Sequence, residues 1–181
     1  MEIARNIKNN TLDHFVGYSH NLTSKNLMEI VQALDDNVSM VSLDLSGCLA
    51  MNTVCVQRLA TALPQNKSLL ILLLDNTKLH NAGVISLCSA LTSNSTLEEL
   101  SISNTLFTAS AVDSISQMIR CNHSLKFLNL ADNIIGNDGA IKIAEALEHN
   151  TTLKELNLFQ CDIGNFGVGR LAQYPVVKID F

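Results

Sequence analysis

Residues 125–152 read LKFLNLADNIIGNDGAIKIAEALEHNTT. Leu128 and Leu130 alternate with polar neighbours, as in a short strand with one buried face. Asn133 ends that strand. Asp138-Gly139 then opens a helix, because Ile143, Ala144, Ala146 and Leu147 recur at helical spacing. One such strand–helix unit cannot bury its own apolar side, so it needs a copy on each flank.

The copies are present. The first apolar position of the unit falls at Leu12, Met40, Leu69, Leu97, Leu125 and Leu153, at intervals of 28, 29, 28, 28 and 28 residues. Positions four and six, the inward strand positions, are Phe15/Gly17, Leu43/Leu45, Leu72/Leu74, Leu100/Ile102, Leu128/Leu130 and Leu156/Leu158. Gly17 is the departure and marks a weak or edge strand. Position nine reads His20, Cys48, Thr77, Thr105, Asn133 and Cys161, each able to hydrogen-bond or fill a small site where the chain turns. Helices are expected over 23–34, 53–63, 81–91, 109–119, 138–147 and 165–173.

The ends differ from the middle. Residues 1–10 read as a helical cap, with Ile3, Ala4 and Ile7 turned inward over the first strand. Val176 arrives only 23 residues after Leu153, after Pro175 has stopped the last helix. Val176, Ile179 and Phe181 then fit positions one, four and six of a final strand. With no helix to cover it, that strand reads as a partner-covered edge or as a cut in a longer protein. The expectation is one domain over 1–181: a cap over 1–11, repeats over 12–175 and a last, truncated strand over 176–181.

Composition narrows the function. The 181 residues are 47% hydrophobic, 16% charged and 4% aromatic, with no Trp, so the core must be aliphatic. A net charge of -5 argues against nucleic acid, whose phosphates need a basic stripe. The first residues hold no apolar signal-peptide core, and the longest apolar run, 69–74, is far shorter than a membrane span.

The L-x-x-L-x-L-x-x-N opening of the 28-residue unit, followed by the Gly139, Ile143, Leu147 spacing in its helix, resembles the ribonuclease-inhibitor-like class of leucine-rich repeats. The resemblance covers nearly the whole chain. It implies an α/β leucine-rich-repeat solenoid: a curved horseshoe with a parallel concave sheet and convex helices, about six repeats plus the final partial strand. The class alternates 28- and 29-residue repeats, and here a 29-residue interval occurs once. Members of the class are mostly protein-binding scaffolds: inhibitors, the sensor ends of innate immune receptors, and effectors that intracellular bacteria inject into host cells. The resemblance therefore implies a non-enzymatic module that binds a protein and inhibits or regulates a partner enzyme. The alternative it leaves is a sensor or scaffold domain of a larger receptor or bacterial effector.

Three further motifs have competing readings. Asn-x-Ser/Thr occurs at Asn9, Asn21, Asn37, Asn66, Asn94, Asn122 and Asn150. The last five are spaced 29, 28, 28 and 28 apart, so they read as repeat punctuation, with Asn in the left-handed conformation that ends a helix. Five cysteines without paired spacing, and with no C-x-x-C, point to free thiols in a reducing, cytoplasmic compartment (a host cell's cytoplasm for an injected effector) and to no metal or other cofactor. His20 and Cys48 share position nine of adjacent repeats, which is the beginning of a nucleophile. No third orienting group accompanies them, so a cysteine-dependent enzyme is the distant alternative.

The informative surface is the outward face of the strands, where positions three, five and seven point. It carries Tyr18, Asp44, Ile71, Leu73, Asp75, Glu99, Phe127, Asn129, Glu155, Asn157 and Phe159. Acids outnumber bases there, and large apolar groups sit where water should be. These residues are the candidate partner-binding site, with Ile71, Leu73, Phe127 and Phe159 expected along one track. The partner would be a protein with a basic or mixed surface, met by a chain that is monomeric when alone, with no part for nucleic acid or membrane.

Overall fold

The computed structural model describes residues 1–17, 21–174 and 177–181. Strands β1 (His14–Val16), β2 (Ser42–Asp44), β3 (Ile71–Leu73), β4 (Glu99–Ser101), β5 (Phe127–Asn129), β6 (Glu155–Asn157) and β7 (Lys178–Asp180) form one parallel sheet in chain order. Helices α1 (Glu2–Lys8), α2 (Ser24–Gln32), α3 (Thr53–Ala62), α4 (His80–Leu91), α5 (Val112–Cys121), α6 (Gly136–Leu147) and α7 (Asn165–Leu171) alternate with them, and a 3-10 turn at Ala109–Ala111 leads into α5. Strands stack about 4.8 Å apart and packed helices about 8–10 Å apart. A stack of strand–helix units must therefore curve, with the sheet on the inside.

Register follows the repeat without a slip. Phe15, Leu43, Leu72, Leu100, Leu128, Leu156 and Ile179 lie side by side across the sheet. Leu43 to Leu156 in that row are fully buried. The core is aliphatic, and Phe107 is its one large, fully buried aromatic among the described residues. Helix α1 caps the open end with Ala4 and Ile7, as its apolar spacing requires. At the other end Ile179 takes the strand position expected of it. Phe181 does not: it is 43% exposed, because no further repeat packs on that side. Pro175 and Val176 lie outside the described residues.

The punctuating asparagines have a different role from the left-handed cap expected of them. Asn37, Asn66, Asn94, Asn122 and Asn150 are not among the residues with positive φ, and Asn122 is extended (φ -86, ψ 131). All five are buried. In each, the side-chain oxygen accepts the amides two and three residues on, for Asn122 those of Ser124 at 3.0 Å and Leu125 at 2.7 Å. Its Nδ2 donates back to the preceding repeat, to Leu91 O at 2.8 Å and Asn94 O at 3.0 Å. Asn66, Asn94 and Asn150 repeat the pattern, so a ladder of amides runs through the solenoid where helix turns into strand. The same buried nitrogens are closed to glycosylation in the folded chain.

A second ladder stands at position nine. Thr77 and Thr105 hydroxyls donate to the carbonyls three residues back, and Asn133 Nδ2 donates to Ile102, Leu130 and Ala131.

Repeat length is nearly constant, yet repeat conformation alternates. Helices α4 and α6 start at His80 and Gly136, which take positive φ (52 and 69). Asn81 and Asn137 then accept the backbone amides of Thr108 and Gly164 on the next repeat. In the repeats of α5 and α7 the positive-φ residue comes two places earlier in the frame, at Leu106 (φ 64) and Asp162 (φ 56). From Leu69 onward, units of 28 residues thus pair into a 56-residue structural period, which the preceding α3 unit, with positive φ only at Gly47, does not share. At Gly167 a Cβ would meet Ile163 Cγ2 at 2.6 Å and Ala140 Cβ at 2.9 Å, so α7 can approach α6 only through glycine.

Candidate functional site

The concave face has three rows. His14, Ser42, Ile71, Glu99, Phe127, Glu155 and Lys178 open the strands, and Val16, Asp44, Leu73, Ser101, Asn129, Asn157 and Asp180 close them. Ser46, Asp75, Ser103, Ala131 and Phe159 follow on the loops. Tyr18, the remaining sequence candidate, lies outside the described residues, as does His20.

Much of the polar lining is tied up in holding the loops. Asp44, Asn129 and Asn157 each accept the backbone amide two residues on, at 2.8, 3.1 and 2.9 Å. These are Asx turns that end the strand. On β4 the equivalent residue is Ser101, too short for that task. Asp75 of the neighbouring repeat substitutes for it, accepting the Ser103 amide at 2.7 Å and the Ser101 hydroxyl at 2.6 Å. Asn129 Nδ2 donates to Ser101 Oγ at 2.9 Å and extends the lattice, and Ser101 is buried. Glu155 shares Lys178 with Asp180, at 3.4 and 3.5 Å. Those two carboxylates raise the Lys178 pKa, mostly through the hydrogen bond to Glu155. Glu99 has no such partner among the described residues.

The apolar residues do not form the single track expected of them. Ile71 and Phe127 share the first row with Glu99 between them. Leu73 is in the second row, separated from β6 by Ser101 and Asn129. Phe159 stands in the third row and is 49% exposed. The side-chain period of two along a strand moves Phe159 four residues away from the row of Phe127. What the face presents is separate apolar groups, with Ile71, Leu73 and Phe127 half-buried, set in a hydrogen-bonded polar lattice.

Among the described residues the buried cysteines are poor nucleophiles. Burial, and secondarily the Asp44 carboxylate, pushes the Cys48 thiol up, the opposite of activation. Burial pushes Cys161 up to about 11 and Cys88 up to about 12. All five cysteines are free. Among the described residues no three His, Cys, Asp or Glu side chains gather as a metal site would require. On the convex side an open groove runs between α4 and α5, lined by Ile85, Ser89, Thr92, Asp113, Ser114, Gln117 and Cys121. Five of its seven lining residues are polar, and it is wide open to solvent.

Among the described residues, seven parallel strands alternating with seven helices on a 28-residue leucine period define a leucine-rich-repeat solenoid. A family model described as leucine-rich repeat matches residues 121–144 and 149–172, the two most regular units. No curated protein matches the chain by sequence. Among solved structures, one titled leiomodin-1 actin-binding site 2 is similar over 82% of this chain and 86% of its own, with a TM-score of 0.68 and 21% identity. The C-terminal domain of tropomodulin from Caenorhabditis elegans is similar over 84% of this chain and 91% of its own, with a TM-score of 0.69 and 13% identity. At those identities the likeness is one of fold.

Proposed function

We propose that this chain is a non-enzymatic protein-binding module that seats its partner on the concave face. The observation that carries the reading is the placement of Ile71, Leu73, Phe127 and Phe159. They project from a face on which Asp44, Asp75, Ser101, Asn129 and Asn157 are held in a polar lattice, as anchors in a wet rim are. The acids Asp44, Asp75, Glu99 and Glu155 favour a basic or mixed partner surface and speed its encounter. Seated over a cleft, such a module inhibits or regulates the partner. The alternation of two loop types supports the ribonuclease-inhibitor-like class, and five free thiols support a reducing, cytoplasmic setting. Actin is the first partner to try, because one structural neighbour is titled an actin-binding site.

The test uses actin and any protein captured by the wild-type chain. Leu73→Glu or Phe127→Glu should weaken binding by on the order of 2 kcal/mol, roughly thirtyfold, mostly through faster dissociation. Glu99→Gln should slow association and flatten its salt dependence. Glu99 is a cleaner probe than Asp75, whose removal also frees the Ser103 amide. Lys142→Glu on α6 should do neither. Loss of binding in Lys142→Glu, with the concave variants unaffected, places the partner on the helices and sinks the proposal.

A further inference from the structure

Backbone hydrogen bonding in this sheet runs forward through fixed positions. Position six of one strand serves the next: Leu130 N donates to Asn157 O at 3.0 Å, and Leu158 N donates to Asp180 O at 2.8 Å. On β7, Lys178 N donates back to Lys154 O at 2.8 Å, so Lys178 and Asp180 turn their backbone groups toward β6. By alternation, the N–H and C=O of Ile179 point to the open side of the sheet. The apolar side chains behind that edge are uncovered too. Phe181, at position six, is 43% exposed, whereas its counterparts Leu130 and Leu158 are buried. On α7, Val168 is half-buried and Ala172 exposed, whereas their counterparts on α6, Ala140 and Ala144, are fully buried.

The charges of β7 select what fits there. Among the described strands it alone carries opposite charges at its two outward positions, Lys178 and Asp180. Charge on an edge strand ordinarily keeps copies of a protein apart. This order of charges does the reverse in one register. With Ile179 antiparallel to Ile179 of a second copy, the two residues exchange both backbone hydrogen bonds. Lys178 then lies opposite Asp180 of the second copy, and Asp180 opposite its Lys178. Both are the closely spaced pairs in which cross-strand charges meet. A slip of two residues sets Lys178 against Lys178 or Asp180 against Asp180. Parallel stacking on β1 of another copy offers only His14 and Val16, with no acid for Lys178 and no full base for Asp180.

We propose that β7 is a self-association edge, through which two copies of the chain join tail to tail about a two-fold axis at Ile179. Phe181 comes opposite Val177 of the second copy, behind the shared sheet. The two concave faces then lie on one continuous sheet. The contact is small, so half-association is expected near roughly 100 µM, and the lone chain expected from the sequence is the dilute form.

Sedimentation velocity of the full chain from about 10 to 500 µM should show its mass rising from one chain to two. Lys178→Glu and Asp180→Lys, each alone, should weaken the dimer about tenfold or more, because like charges then meet at both pairs. An equimolar mixture of the two variants should restore it, since each acid of one then meets a base of the other. A strand merely frayed by loss of the contact between Lys178 and Glu155 would not be rescued by mixing. A wild-type chain that stays monomeric throughout, growth beyond two chains, or a mixture no more associated than its components overturns the proposal.

Discussion

Asn122→Ala should destabilise the solenoid by about 3–5 kcal/mol, more than most single substitutions of a polar residue. The side chain makes five hydrogen bonds while only 2% exposed: three accepted within its own turn, two from amides and one from the Ser124 hydroxyl, and two donated to the preceding repeat. Alanine leaves as many as two amides and two carbonyls without their partner, each costing about 1–3 kcal/mol where buried, less whatever entering water restores. The loss also spreads. Asn94 O accepts from Asn122, and Asn122 O accepts from Asn150, so the amides form a polarised chain through the repeats. Equilibrium unfolding in urea at 25 °C measures the effect. A cost under about 1 kcal/mol would mean that the ladder is solvated and contributes little.

Leu100→Ala should cost about 2–5 kcal/mol. Leu100 is fully buried, with Leu72 on one side and Leu128 on the other in the same row. A cavity there is walled by two repeats that cannot collapse without shifting the ladders. Ile179→Ala, in the half-buried end strand with a neighbour on one side, should cost clearly less. Equal costs at the two positions would contradict the stacked core, because the end strand has fewer atoms to lose contact with.

The strand register was legible from leucine spacing, since a one-residue slip would turn every inward side chain outward. The cap was legible from Ala4 and Ile7 for the same reason. The asparagines were legible as punctuation but not in role. Asparagine serves both a left-handed cap and a buried amide ladder, and only the position of the preceding repeat's carbonyls decides between them. On the concave face, Asp44, Asn129 and Asn157 recur at position five, a signal of Asx turns that charge counting passes over. The substitution of Asp75 where β4 has Ser101 depends on a contact between repeats and has no trace in either repeat alone. The alternation of loops was hidden because the repeat lengths barely vary. Asn81 with Gly83 and Asn137 with Gly139 do not mark it either, because Asn165 with Gly167 repeats the spacing in the next unit.

Methyl NMR of the 19.7 kDa chain during titration with its captured partner tests the concave reading most directly. The Ile71 and Leu73 methyl resonances should shift or broaden first and with the largest amplitude, while those of Ile85 in the convex groove and Val54 on α3 stay in place. Perturbation of Ile85 and Val54 with Ile71 and Leu73 unmoved would put the partner on the helices and contradict the account.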